Sequence, residues 1–420
     1  MNRAEVLKRL AREEGFQLAG ICGPDPSEHL DFLNAWIEEK RHGSMTYLAR
    51  PSALARRADV SEILGEVGTV LVVAQNYHQE DPDGVPDDFR RGVVARYARG
   101  RDYHRVVKNA LQRVHHRFEE VEGRPVPGRA YVDTGPILER EFAQRAGLGW
   151  FGRNTMLIHP RQGSYFFLGV LLLSVEMEPD APVDVDHCGS CEACLDACPT
   201  SALLGRGPSG GPVMDASRCI SYLTIEHSGP IPVELRPLIG NRIYGCDICQ
   251  EVCPFNRRFA EPAIEPGYAA RGPGERPIGV ELEGPVSGQS GISPTPNHPG
   301  TDAPLLTELM GMDEVAWEAF SRGSAIRRAG RAGFLRNVAV ALGNWGSVEA
   351  VPALVGALSD PDALVRGHAA WGLGQVGSEE AWGALSEGIK VEEDPRARQE
   401  FNHALNRVKE GLTASESGPG

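Results

Sequence analysis

The sequence predicts an α+β multidomain protein: a mixed helix-and-strand lobe, then a cysteine-built module, then a C-terminal array of helical repeats. Three observations carry this. Helical and strand periodicities alternate before residue 180, eight cysteines fall in two runs between Cys188 and Cys253, and a pattern recurs at a fixed shift after residue 304. A chain of 420 residues favours two or three domains, and its 41% apolar fraction can supply packed cores.

The lobe is expected over residues 1–180. MNRAEVLKRLAREEG reads as an amphipathic helix and lacks the apolar centre of a signal peptide. Residues 69–75 form a β-branched strand candidate. Val107, Ala110, Leu111, Val114, Phe118 and Val121 recur at helical spacing within 104–121. A short strand over 129–133 is expected to lead into a helix opened by Pro136 and running to Arg145. The apolar run 165–175 suits a buried strand and is too short to span a bilayer, so no membrane association is expected.

The module is expected over 181–260. Cys188, Cys191, Cys194 and Cys198 are separated by two, two and three residues, and Pro199 follows. This is the bacterial ferredoxin run, in which the fourth thiolate ligates a neighbouring cluster. Cys246, Cys249 and Cys253 before Pro254 form a second run, with Cys219 as its distant first member. The pattern sorts Cys188, Cys191, Cys194 and Cys253 onto one 4Fe–4S cluster, and Cys198, Cys219, Cys246 and Cys249 onto another. Zinc or disulfides are the bland alternatives, and the triple Cys-x-x-Cys run before Cys-Pro is rare in zinc sites. Thiolates reserved for iron point to a reducing cytoplasm. Cys22 is left over as a small buried residue.

Residues 261–303 are rich in Gly and Pro and read as a weakly ordered linker or loop. In the repeat region, expected over 304–412, Leu342, Gly343, Gly346, Ser347, Glu349, Ala350, Ala353 and Leu354 recur as Leu373, Gly374, Gly377, Ser378, Glu380, Ala381, Ala384 and Leu385. A period of about 31 fits stacked helix pairs of the HEAT-like kind, with Asp360-Pro361-Asp362 turning between units. Residues 415–420 are expected to fray.

The net charge of −14 disfavours broad nucleic-acid binding. Five arginines, Arg322, Arg327, Arg328, Arg331 and Arg336, nevertheless cluster, either as a local basic patch or as a solvated helix face. The Gly-x-Gly-x-x-Gly of Gly147, Gly149 and Gly152 follows a helix where a dinucleotide site needs a strand, so it reads as a tight loop able to approach a flat ligand. Asp102-Tyr103-His104 begins like a signature of cobalt ligation through histidine, but Val107 stands where that signature needs glycine, leaving His104 as a helix-start residue. His115 and His116 read as surface residues. Asp133 lies where a strand gives way to a helix, either as an N-cap or as an acid facing the crevice. A carboxyl buried there would have a raised pKa, as a proton donor requires.

Together the segments GRDYH, VDTG, RAGLG, Asn154, GSY, HCGSCEACLDACPTSAL, RCISYLTIE, IGNRIYGCDICQEVCP and RGHAAWGLGQVG resemble the epoxyqueuosine reductase family. The resemblance implies a lobe related to nitroreductase-like and cobalamin-processing folds and to reductive dehalogenases. It implies cob(II)alamin bound without a histidine ligand beside a ferredoxin-like module. It implies Asp133 as proton donor, and cobalamin contacts from Asp133 and among Arg57, Tyr97, Arg153, Asn154, Thr155, Ser164, Tyr165 and Asp247. The implied activity is reduction of epoxyqueuosine to queuosine in the anticodon loop of tRNA with a GUN anticodon, the final step of queuosine biosynthesis. Two clusters would feed the two electrons from an unidentified low-potential donor. Arg327, Arg328 and Arg336 would contact the RNA, and a monomer is expected. Two other readings share parts of this pattern: a reductive dehalogenase-like enzyme acting on a small molecule, and a non-catalytic two-cluster electron carrier. The first leaves the repeats without a purpose; the second leaves the lobe and VDTG without one.

Overall fold

The computed structural model describes residues 2–81, 87–275 and 299–416. The chain divides into two compact units. The first comprises Met1–Glu80, Asp102–Cys219 and Asp247–Tyr268; the second comprises Asp81–Arg101, Ile220–Cys246 and Ala269–Gly420. The cysteine segment is thus shared, with Ile220–Cys246 belonging to the second unit.

A four-stranded sheet organises the first unit, in the order Leu18–Cys22, Thr69–Asn76, Phe166–Leu173, Gly128–Tyr131, antiparallel throughout. Its two central strands are buried on both faces, which explains their near-continuous apolar runs. Val70, Val72, Ala74, Val170 and Leu172 pack with Phe142, Ala143, Ala146 and Leu148 in one core layer. Toward the other face, helix Tyr103–Glu122 buries Val107, Ala110, Leu111, Val114 and Phe118. The helix lies close because Gly169 has no side chain: a Cβ there would come within 2.8 Å of Leu111 and 2.9 Å of Val107. Cys22 sits in the core layer, and burial pushes its thiol up to about 12, so it is an inert packing residue.

The chain departs from expectation around Asp133. The edge strand ends at Tyr131, and the next helix is Glu139–Arg145 rather than one opened by Pro136. Asp133 has φ +56°, and Thr134 N–H donates to Val132 O at 2.6 Å across it. Such a three-residue turn cannot continue a strand. Leu138 precedes the helix without a side-chain cap, so neither Asp133 nor Thr134 is spent on capping. The glycines of the Gly-x-Gly-x-x-Gly stretch approach the protein itself. Trp150–Phe151 pairs with Leu157–Ile158, and a Cβ on Gly149 would lie 2.3 Å from Ile158 O.

In the second unit, helices Gly330–Trp345, Val351–Ala357, Ala363–Val376, Glu379–Val391 and Pro395–Glu416 follow one another. Gly346 and Gly377 end equivalent helices at φ +66° and +71°, and Ser347 and Ser378 then cap the following turns. Gly343 and Gly374 let successive helices touch backbone to backbone. A Cβ would lie 2.9 Å from Gly372 Cα at the first and 2.8 Å from Ala404 Cα at the second.

The flanks of the Gly/Pro-rich segment are fixed, against expectation. In the first unit Tyr268 is buried against Phe167 and donates its hydroxyl to Gln75 at 2.6 Å. In the second, buried Arg271 donates its guanidinium to Phe320 O at 3.0 Å and its backbone N–H to Thr301 Oγ1 at 2.9 Å, and its carbonyl accepts the Thr301 N–H at 2.9 Å. Residues 276–298 and the last four positions of the expected fraying end lie outside the described residues. No described helix is long and apolar enough to cross a membrane.

Candidate active site and cysteine pocket

The strained turn presents Asp133 to the start of the long helix. Asp102 caps that helix: its Oδ1 accepts the His104 backbone N–H at 3.1 Å and meets His104 Nδ1 at 2.6 Å. The other ring nitrogen, Nε2, meets Asp133 Oδ2 at 3.2 Å. The imidazole therefore bridges two carboxylates. It also stacks on Tyr103 at 4.0 Å, and Tyr103 stacks on Phe167 of the sheet at 4.1 Å, so the ring's plane is held. The Tyr103 hydroxyl also hydrogen-bonds Asp133. Behind the turn, Glu139 accepts the Asp133 backbone N–H at 2.5 Å, and Arg140 reaches the carbonyl of Thr155.

Burial favours a neutral Asp133, but the hydrogen bond and charge of His104, with the Tyr103 hydroxyl and Arg140, outweigh it. The carboxyl ends below its ordinary value. This corrects the expectation of a raised pKa. Burial likewise opposes charge on His104, yet Asp102 and Asp133 hold it up to about 9. Glu139 is pushed up to about 8, first by burial and then by the charge on Asp133. Near neutral pH the proton therefore rests on His104, Glu139 is neutral and Asp133 is the anion. The Asp133 side chain is 62% exposed, so the carboxyl stays open to solvent while His104 holds one of its oxygens.

A second constellation lies in the same unit. Cys188, Cys191, Cys194 and Cys253 line one pocket with Ile158, Phe255, Arg153 and Asn154. Burial pushes the Cys194 thiol up to about 11, and neighbouring Cys188, Cys253 and Cys191 add to the push. Four thiolates gather in such a place only around positive charge. Among the described residues no three His, Cys, Asp or Glu side chains form a group that could hold a metal ion; the four sulfurs instead line a pocket. Trp150 in its apolar wall donates Nε1–H to Cys188 Sγ at 3.5 Å. Of the other four cysteines, Cys198 accepts Ala202 N–H at 3.3 Å, Cys249 lies on helix Ile248–Glu251, Cys219 ends a short helical turn, and Cys246 is the last residue of its segment of the second unit.

The remaining candidates scatter. Thr155, itself at φ +64°, joins the Asp133 group through Arg140. Arg57 is half-buried, hydrogen-bonded only weakly to Leu48 O at 3.4 Å, and burial pushes its pKa down. Arg153 and Asn154 face the cysteine pocket: Arg153 holds Glu192 at 2.6 Å and Gly189 O at 2.8 Å, and Asn154 donates to Cys249 O at 3.3 Å. Ser164 is a correction. Its hydroxyl donates to Gln250 at 2.9 Å and accepts from Asn256 at 3.0 Å, so it is consumed inside the wall. Tyr165 is buried beside Tyr77 and His78, Asp247 is buried before helix Ile248–Glu251, and Tyr97 belongs to the second unit near Tyr244.

The arginine cluster also resolves into parts. Arg327 and Arg322 share Glu318, and Arg328 pairs with Glu226; these side chains are exposed. Arg331 is held by Asp360 at 2.6 Å. Arg336 cannot contact RNA: it is 1% exposed and donates to the carbonyls of Leu223, His227 and Gly229 and to Asn337, where burial pushes it down to about 10. Those carbonyls supply partners that only a buried cation or amide can satisfy.

Sequence reasoning missed His104 as a partner of Asp133, together with Tyr103, Glu139, Arg140 and Trp150. The aspartate N-cap two residues before the histidine is the one local signal that orients such a ring.

Three family models match: "Epoxyqueuosine reductase QueG, DUF1730" over residues 57–134, a 4Fe-4S double cluster binding domain over 187–256, and HEAT repeats over 324–406. An epoxyqueuosine reductase of Xanthomonas campestris pv. campestris is 39% identical over 378 residues, covering 89% of this chain and 96% of its own. That of Escherichia coli (strain K12) is 37% identical over 374 residues, covering 89% of each chain. A crystal structure of epoxyqueuosine reductase with an epoxyqueuosine-modified tRNA-Tyr stem loop superposes with a TM-score of 0.80 at 28% identity, over 96% of this chain and 98% of that one. The Bacillus subtilis enzyme, solved with the catalytic loop of an aspartate swung out of its active site, gives 0.78 at 27% over 96% and 98%.

Proposed function

Since the chain belongs to the epoxyqueuosine reductase family, we propose that it reduces the epoxide of epoxyqueuosine in a tRNA anticodon loop to the alkene of queuosine. The observation that carries the chemistry is Asp133, held on a strained turn with its carboxyl open to solvent and hydrogen-bonded to protonated His104. The loop aspartate of the Bacillus subtilis relative supports giving Asp133 that part. The nitroreductase- and cobalamin-processing-like character of residues 1–180, the ferredoxin-like role of 181–260, the linker 261–303 and the repeats 304–412 belong to this reading, as does a cytoplasmic setting.

Removing the epoxide oxygen as water consumes two electrons and two protons. Cobalamin, when bound, supplies a low-valent cobalt nucleophile for the carbon–oxygen bond, and 4Fe–4S clusters supply electrons singly. The cysteine pocket fits such a cluster: four sulfurs line an apolar wall that carries an N–H donor. Asp133, Thr155 and Arg57 are the residues we assign to cobalamin. The open side of Asp133 leaves room for it, and Arg57, which pairs with no acidic side chain among the described residues, suits an anionic or amide group.

The chain's own part is proton delivery. Covering the exposed side of Asp133 strips water from its carboxyl, and that loss of solvation favours its neutral form. The proton shared with His104 then shifts onto Asp133, beside the oxygen where negative charge develops. Asp102 keeps the imidazole aligned for this transfer, and neutral Glu139 keeps a second negative charge away. Exposed Arg327 and Arg328 would meet tRNA phosphates, and the overall acidity confines that contact to a small area.

The test is anaerobic reconstitution with iron, sulfide and cobalamin, followed by conversion of epoxide-bearing tRNA to the alkene. Asp133→Asn is expected to keep the cobalamin spectrum and lose at least about 10²-fold in turnover. Normal turnover by that variant would remove Asp133 from the proton path.

A further inference from the structure

We propose that the indole N–H of Trp150 sets the reduction potential of the cluster ligated by Cys188, Cys191, Cys194 and Cys253. The inference rests on the two-cluster reading above and deepens it.

Trp150 is 2% exposed and its Nε1–H points at Cys188 Sγ, 3.5 Å away. The ring is clamped edge-to-face between His187 at 4.8 Å and Phe255 at 4.9 Å, and the strand pair with Leu157–Ile158 fixes its backbone. The donor therefore cannot turn away. Ile158, Cys253 and Phe255 form the surrounding apolar wall, where water competes little and an N–H dipole acts at nearly full strength. Arg153 lines the same pocket, but its charge is balanced by Glu192.

Reduction adds one electron to the cluster and no proton; no bond forms or breaks. The added negative charge spreads onto the cysteine sulfurs. A hydrogen bond to one sulfur stabilises the reduced form more than the oxidised form and raises the potential. Cys198, assigned to the other cluster, accepts instead from the Ala202 backbone N–H, which substitution leaves in place. The Trp150 donor can be removed alone.

The experiment is an EPR-monitored redox titration of the full reconstituted chain and of Trp150→Phe, which keeps an aromatic ring and loses the N–H. One of the two midpoint potentials is expected to fall, leaving that cluster about five- to tenfold less reduced at a fixed ambient potential, where tenfold is 59 mV for one electron. The other potential and the iron and sulfide contents stay unchanged. Ile158→Val trims the same apolar wall, leaves the His187 and Phe255 clamp and the backbone pairing of Trp150 in place, and is expected to shift neither potential. An equal shift from Ile158→Val would assign the effect to packing and overturn the inference. In the unaltered protein, tryptophan isotope-labelled at the indole nitrogen should give a hyperfine coupling to the reduced cluster; its absence overturns the inference without any variant. Full clusters with unshifted potentials in Trp150→Phe overturn this inference alone. Unaltered protein that assembles no cluster overturns the reading beneath it.

Discussion

The Asp133 turn and the cysteine pocket share one unit but are built in opposite ways. Around Asp133, charged groups lie within hydrogen-bond reach of one another and leave a side open to water; where the proton rests is set by the opposition of burial and charge. Around Cys188 the wall is apolar, the ring of Trp150 is clamped, and among the described residues the titratable groups lining it are the thiols, His187 and Arg153, whose charge Glu192 balances. The first arrangement is tuned by what covers its open side. The second is tuned once, by covalent structure and a fixed donor. Protons and electrons thus reach the chemistry from separately adjustable sources.

The largest test of that division is Cys253→Ala. It should remove one cluster, halve the bound iron and abolish turnover while the charged group around Asp133 keeps its pH behaviour. Loss of all iron would show that the two sulfur sets do not assemble independently. Next is His104→Gln, which keeps hydrogen bonding but not charge. It should slow turnover about 10²-fold and erase the alkaline limb, which in the unaltered protein falls as pH rises through about 9. The sign follows from the raised pKa. The stabilisation His104 gains from its carboxylates is complete below pH 6.5 and lost as pH climbs through about 9. A variant retaining the same alkaline limb would place the proton elsewhere, Glu139 being the nearest alternative. The smallest effect belongs to Arg327→Ala or Arg328→Ala. Each should weaken tRNA binding modestly and lower the salt slope by about 1, without altering either cluster or the pH profile.

What could be read from the sequence follows from how local each signal is. The cysteine runs are a short-range code, and the pocket gathers Cys188, Cys191, Cys194 and Cys253 together. The helical repeat was equally visible, because Gly346 and Gly377, with Ser347 and Ser378, spell the same end and start of helices twice. Asp133 was visible as a residue but not as an environment. Its positive φ ends the strand early, and its partner His104 lies 29 residues back, at the start of a helix that reads as merely amphipathic. Arg336 failed for a related reason. An arginine in a basic run looks solvated, and only the fold shows that the carbonyls of Leu223, His227 and Gly229 surround it and accept its N–H groups.

The bare backbone at Gly343 and again at Gly374 governs how such an array can lengthen. Each layer leaves a gap that only a hydrogen atom fits, and the next helix passes through it. A duplicated stretch of about 31 residues brings its own gap and inserts cleanly. An insertion of any other length drives a side chain into the path of the neighbouring helix, so growth in this region is restricted to whole steps.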